Sequence, residues 1–202
     1  MDSRGIAELF LHLGRIGFGE GFAKGLTAAQ WTVLRYFARA NRFSRTPSAF
    51  ATFHGTTRGT ASQTIKNLET QGYLTRLRSE IDGRSARLDL TDKATAVLAN
   101  DCFEVMVRAV DALPAGVRGD FAHTLQRMLG QVTLEKGMPP FGTCASCKYL
   151  EGDGCCREGQ VPYACGFVNV PLLLNEVDEL CINFAPGKPA AMKGAVASVA
   201  SR

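Results

Sequence analysis

Residues 57–91, TRGTASQTIKNLETQGYLTRLRSEIDGRSARLDLT, read as a helix followed by a two-stranded hairpin. Thr57 is a good N-cap, and Ala61, Ile65 and Leu68 recur at helical spacing, so one stripe of the helix faces a core. The opposite face carries Arg58, Ser62, Gln63, Lys66 and Asn67. These are short or forked hydrogen-bonding side chains and cations, the types that read base edges and phosphates in a major groove. Gln71-Gly72 ends the helix in the manner of a glycine C-cap. Tyr73 to Arg78 and Ser85 to Leu90 then flank Asp82-Gly83, with Ala86, Leu88 and Leu90 alternating with Arg87 and Asp89. That pattern predicts a half-buried hairpin with a charged tip.

Upstream, Thr27 caps a helix expected to run through Ala40, with Trp31, Leu34, Phe37 and Ala38 on one side and Trp31 as a core anchor. After Thr46-Pro47 a short helix from Ser48 to His54 forms the first arm of a helix-turn-helix, and Gly55 allows the turn. His54 is read as structural or solvent-exposed. A surface helix beside an ordinary hairpin is the bland alternative for residues 57–91, because charge on a helix is usually solvation. The order of parts decides against it: a helix-turn-helix followed at once by a basic hairpin is the layout of a winged helix.

The run from Ser62 to Thr91, with its leucine-glutamate pair, Gly72, Arg76, Asp82-x-Arg84 tip and closing Leu90-Thr91, resembles the multiple antibiotic resistance regulator (MarR) family. The resemblance covers roughly residues 5 to 136. It implies a homodimeric winged-helix repressor or activator with the helix from Arg58 in the major groove, Arg84 in the minor groove, and dimerisation through the first and last helices. The family often carries a second basic residue where this chain has Gly83, which implies a weaker grip by the wing.

The flanking helices agree with pairing. Residues 3 to 24 place Ile6, Leu9, Phe10, Leu13 and Ile16 at helical spacing, but Gly14, Gly17, Gly19 and Gly21 weaken an isolated helix, so packing must hold it. Thr91 is expected to begin a long helix to Leu113, with Ala94, Val97, Leu98, Cys102, Val105 and Ala109 as its seam. Cys102 on that seam reads as a buried, unreactive thiol. Beyond Pro114, Val117, Phe121, Leu125, Met128 and Val132 mark a further helix ending near Gly137. Seams of this length with few local partners suit burial against a symmetry mate.

Six of the seven cysteines fall in CASCKYLEGDGCCREGQVPYACGFVNVPLLLNEVDELC, Cys144 to Cys181. Where thiols are kept reduced, such a concentration favours metal over disulfides. Cys144-x2-Cys147 is a chelating pair in need of two more thiolates. The preferred set is Cys144, Cys147, Cys165 and Cys181, with Cys155 or Cys156 able to replace one of the last two. Structural zinc prefers two paired knuckles, whereas one pair followed by widely spaced single cysteines is closer to iron-sulfur ligation. An iron-sulfur cluster is therefore expected, with zinc as the alternative and a metal-free thiol set third. The segment also resembles the cysteine-bearing extension of some MarR members and the cysteine order of high-potential iron-sulfur proteins. A helix from Leu172 to Leu180 is expected to supply apolar cover.

Charge follows the same division. Residues 1–139 hold 18 Lys+Arg against 13 Asp+Glu, and residues 140–186 hold 2 against 6. A basic body preceding an acidic segment suits a DNA-facing part joined to a part that avoids DNA. The expected fold is mainly α with a small β-hairpin wing: a winged helix-turn-helix dimer over residues 1–138, a small cysteine-rich module over 139–186, and a disordered tail over 187–202. No apolar run approaches the roughly 18 residues that span a bilayer, and the start lacks the order of a signal peptide, so a cytoplasmic location without membrane contact is expected.

The expected function is sequence-specific transcriptional regulation on a double-stranded operator, with the cluster as a redox or iron sensor. Arg58, Ser62, Gln63 and Asn67 are expected to read bases, Lys66, Arg76 and Arg78 to meet phosphates, Arg84 to probe the minor groove, and Arg87 to join the DNA-facing set. A structural zinc site with a small-molecule effector is the alternative, and an electron-transfer or interaction module a further one. The sequence lacks a Gly-rich phosphate loop, HExxH and a nucleophile elbow, so no enzymatic activity is expected.

Overall fold

Helix α1, Ser3–Gly19, opens the chain and leaves Ile6, Leu9, Leu13 and Ile16 exposed. The computed structural model describes residues 1–19, 25–78, 86–152 and 163–187, with the backbone alone at Phe18, Gly19, Arg78 and Ala86. The chain divides into two compact units, Met1–Pro139 and Pro140–Arg202.

Helix α2, Ala28–Arg39, starts with a capping box: Thr27 Oγ1 accepts the Gln30 N–H at 3.3 Å and Gln30 Oε1 accepts the Thr27 N–H at 2.8 Å. Its buried face is Trp31, Val33, Leu34, Tyr36 and Phe37. The stripe widens on the Val33–Tyr36 side, so Ala38, expected on it, turns to solvent. Thr46 caps α3, Pro47–Phe53, by accepting the Ala49 N–H at 3.1 Å. Thr57 caps α4, Arg58–Thr70, in the same way through the Thr60 N–H.

One closure recurs at helix ends. Gly55 and Gly72 have φ of 60° and 76°, the left-handed region where a Cβ is costly. The amide after each reaches back: Thr56 N–H donates to Ala51 O at 3.0 Å and Tyr73 N–H to Leu68 O at 2.9 Å. These Schellman closures stop α3 and α4 and satisfy otherwise orphan carbonyls.

Strands β1, Leu74–Arg78, and β2, Ala86–Leu90, pair antiparallel with Leu74 opposite Leu90 and Arg76 opposite Leu88. Leu74 and Leu88 are buried, which fixes that face against the core formed by Trp31, Phe37, Phe50, Ile65 and Leu68. The Asp82-Gly83 tip lies outside the described residues.

The expected long helix from Thr91 to Leu113 is broken in two. Helix α5, Asp92–Leu98, and helix α6, Glu104–Asp111, flank a bend at residues 99–103. Asp101 causes the break, because its Oδ1 accepts the Phe103 N–H at 3.0 Å while both carboxylate oxygens accept from Arg35 of α2, at 2.6 and 2.5 Å. A side chain committed to a nearby amide competes with the helical ladder. Helix α7, Ala115–Glu135, follows Pro114 and ends at Gly137, φ 62°. Where α1 meets α6, a Cβ on Gly17 would lie 3.1 Å from Met106 Cγ, so glycine permits the close approach.

In the second unit, β3 (Gly142–Thr143), a 3-10 turn (Cys144–Ser146), β4 (Leu150–Gly152), β5 (Tyr163–Cys165), β6 (Val170–Leu172), a second 3-10 turn (Leu174–Asp178) and β7 (Leu180–Cys181) succeed one another. β3 pairs with β7, and β4, β5 and β6 form an antiparallel sheet in that order. The helix expected from Leu172 to Leu180 is thus a strand end and a single 3-10 turn. Glu176 Oε2 accepts the Leu173 N–H at 2.8 Å and fixes that turn. Leu172 and Val177 are buried, while Leu173 and Leu174 face solvent.

Candidate functional site

Helix α4 packs on α3 and α2 through Ala61, Ile65 and Leu68, which are essentially fully buried. Burial of that stripe turns Arg58, Ser62, Gln63, Lys66 and Asn67 outward, and all five are exposed. Gln63 Nε2 donates to Asn67 Oδ1 at 3.3 Å, which aligns two amide side chains one turn apart. Each amide still offers both donor and acceptor capacity, the pattern suited to an adenine edge. Arg58 occupies the first turn, where the backbone amides also point outward.

In the wing, two of the cations have carboxylate partners. Arg76 donates from Nε and Nη2 to Glu69 Oε1 and Oε2, both at 2.9 Å, so this cation is engaged with a carboxylate of α4. Those bonds, with Glu69's charge, raise its pKa above the ordinary guanidinium value despite the opposing effect of burial. Arg87 Nη2 donates to Asp89 Oδ2 at 2.8 Å and is largely covered, its side chain 22% exposed. Asp89 Oδ1 also accepts from Arg45 Nη1 at 3.0 Å, and Leu88 N–H donates to Arg45 O at 2.8 Å. The segment joining α2 to α3 is thereby tied to β2. Arg78 holds the strand position opposite Ala86, and Arg84 lies outside the described residues.

The brace residues Glu69, Arg45 and Asp89 were not singled out by sequence. The Glu69–Arg76 pair had one available signal, since opposite charges seven residues apart across a glycine closure bring a last helical turn next to a following strand. The Arg45–Asp89 pair spans 44 residues and had none.

Residues 24–85 match the MarR family model. No curated protein matches the chain. Among solved structures, the S. aureus MepR–DNA complex is similar at 18% identity and TM-score 0.53, covering 65% of this chain and 96% of that one. FabT of Streptococcus pneumoniae in complex with DNA is similar at 23% identity and TM-score 0.51, covering 65% and 99%. The transcriptional regulator PA3341 is similar at 25% identity and TM-score 0.53, covering 63% and 97%. The N-terminal unit has the MarR-type winged-helix fold.

Within this MarR-type unit, Arg35 ties α2 to the bend between α5 and α6. Its guanidinium lies 5.5 Å from the Trp31 ring centroid and 5.0 Å from that of Phe103, and Nη2 reaches Cys102 Sγ at 3.6 Å. Burial alone would raise the Asp101 pKa, but the Arg35 and Phe103 hydrogen bonds and the Arg35 charge outweigh it and hold the carboxyl below the ordinary aspartate value. Cys102, expected to be buried, is half-buried beside that guanidinium. His54 packs its ring against Phe50, Phe53 and Tyr36 while its outer edge meets solvent, and burial lowers its pKa. Exposed apolar side chains line α1 (Leu9 47%, Ile16 54%), α6 (Val105 52%) and α7 (Val132 52%). No helix among the described residues is long and apolar enough to cross a membrane.

In the second unit, Cys147 N–H donates to Cys144 O at 3.0 Å, closing the C-x2-C turn. The β3–β7 register sets Cys181 opposite Gly142, two residues before Cys144, and both Cys144 and Cys181 are buried. Cys165 instead lies opposite Leu150 on the central strand of the three-stranded sheet. Among the described residues no three His, Cys, Asp or Glu side chains converge closely enough to hold a metal ion. The four-thiolate set expected from sequence is thus not assembled by the described side chains, and Cys155 and Cys156 lie outside them. The β3–β7 pairing brings the chelating pair near Cys181 along the backbone.

Proposed function

We propose that the chain is a dimeric, MarR-type DNA-binding transcriptional regulator. The observation that carries the reading is the outward face of α4, where five hydrogen-bonding or cationic side chains stand clear on the second helix of a helix-turn-helix. Two similar proteins, MepR and FabT, were solved with DNA on this fold. Arg58, Ser62, Gln63 and Asn67 read base edges, and Lys66 meets a phosphate. The apolar faces of α1, α6 and α7 supply a self-complementary surface for a second copy, so two α4 helices meet a pseudo-palindromic site with half-sites roughly 34–36 Å apart.

Unit 2 enters the proposal as a binder of an iron-sulfur cluster, with zinc as the alternative. The support is the cysteine concentration and the burial of Cys144 and Cys181; no step of DNA binding is routed through the metal.

The deciding experiment selects a duplex from a random-sequence pool with the full chain and measures affinity against salt. Log affinity should fall linearly with log salt, and Lys66→Ala should flatten the slope by about 0.9, the loss of one phosphate contact. Salt-independent binding, or none, overturns the reading. Anaerobic purification with metal and sulfide analysis tests the second unit. Iron with labile sulfide supports the cluster, and a colourless zinc protein assigns the signal to a small-molecule effector.

A further inference from the structure

The register of the wing places Arg76 on the same face as Leu74 and Leu88, the face that packs inward. Cross-strand partners and alternate residues of a strand share a face, so Arg76 leaves the hairpin on its core side and not on the side of Thr75 and Leu77. Its long side chain reaches the edge of that face and meets Glu69 in the last turn of α4, two residues before the Gln71 C-cap. The two bonds form a parallel fork at 2.9 Å each, the geometry that fixes the angle between groups as well as their distance. The fork commits the Nε and Nη2 edge of the guanidinium to Glu69, whose side chain is only 21% exposed, and swinging that edge to a phosphate would leave Glu69 as a bare carboxylate beside the DNA.

We propose that Glu69 and Arg76 form a strut that sets the angle of the wing against the reading helix, so both are positioning residues for DNA docking, not phosphate contacts. The proposal rests on the DNA-binding reading above. The strut joins the two elements that must enter adjacent grooves together, with the Gly72 closure as the pivot between them. Any rotation of β1 about that pivot lengthens the fork. The helix and the wing are therefore presented to DNA as one rigid piece, and the ordering cost of docking is reduced before the DNA arrives.

The test uses the full chain and the duplex selected by the wild-type protein. Affinity is measured across a salt series for Glu69→Gln, Arg76→Gln and Arg76→Lys. For a strut, all three weaken binding by about two- to fivefold, the range that an exposed ion pair can hold, and leave the salt slope unchanged. Arg76→Lys is the sharpest variant, because it keeps the charge and loses the fork. For a phosphate contact, Arg76→Gln flattens the slope by about 0.9, Arg76→Lys stays near wild type, and Glu69→Gln tightens binding by releasing the cation. That second pattern overturns the strut. A wild-type protein without salt-dependent DNA binding overturns the functional reading instead, so the two failures are distinguishable. Melting followed by Trp31 fluorescence checks that each variant is folded.

Discussion

Replacing Asp101 with alanine removes the clasp between α2 and the α5–α6 bend. Arg35 and Asp101 side chains are 16% and 8% exposed, so the change strands a largely covered guanidinium. Breaking a buried pair costs about 3–5 kcal/mol, and the partial exposure of Arg35 and the rings of Trp31 and Phe103 place this case near 3 kcal/mol. The Phe103 amide also loses its acceptor, an N-cap-like interaction worth about 1 kcal/mol. Asp101→Asn keeps that acceptor and loses the charge, so it should lie about 1 kcal/mol above Asp101→Ala.

Urea titration followed by the fluorescence of the single tryptophan, Trp31, reports on the affected core directly. With a slope of about 2 kcal/mol/M, the expected loss of about 4 kcal/mol, pair and acceptor together, moves the midpoint by roughly 2 M. Chain concentration is held fixed, because self-association makes apparent stability concentration-dependent. The pH dependence has a definite sign. The folded pKa of Asp101 is depressed, so its contribution is complete above the unfolded value of about 3.9 and is lost as pH falls through the lower folded value. The alanine variant lacks that acid-side loss. A loss below about 1 kcal/mol, the range of surface pairs, refutes the clasp.

Other expectations concern single features. Gly72→Ala meets no atom within 4 Å, so its cost is the left-handed backbone alone, about 1–2 kcal/mol, read as a lower melting temperature. Leu9→Lys combined with Ile16→Lys, both at exposed positions, should leave the monomer fold intact and shift sedimentation from dimer to monomer; an unchanged dimer removes α1 from the interface. His54 has a folded pKa below its ordinary 6.5, so stability is full above 6.5 and falls as pH drops through the folded value. His54→Gln should flatten that part of a melting-temperature profile, and an unchanged profile assigns the pH dependence elsewhere.

Local signals carried most of the winged helix. The capping threonines, the Gly55 and Gly72 closures and the Ala61–Ile65–Leu68 stripe each act within one turn of themselves, so residue type and spacing sufficed to read them. The misreadings lie where distant partners decide. Val97, Leu98 and Cys102 kept helical spacing through residues 99–103, yet Asp101 was drawn 66 residues away to Arg35, and that pair broke the helix. The carboxylate partners of Arg76 and Arg87, Glu69 and Asp89, were likewise not read as partners from the sequence. In the second unit, Leu172–Leu180 had a helix-like apolar content, but short strand pairings on both sides left room for only one 3-10 turn.

The bend at residues 99–103 also has a mechanical meaning. A single continuous rod from the wing to the apolar faces would carry any twist at one end undiminished to the other. A jointed rod does not. Here the joint is pinned by one carboxylate held in a cationic fork, so any torque between α5 and α6 falls on that one bolt.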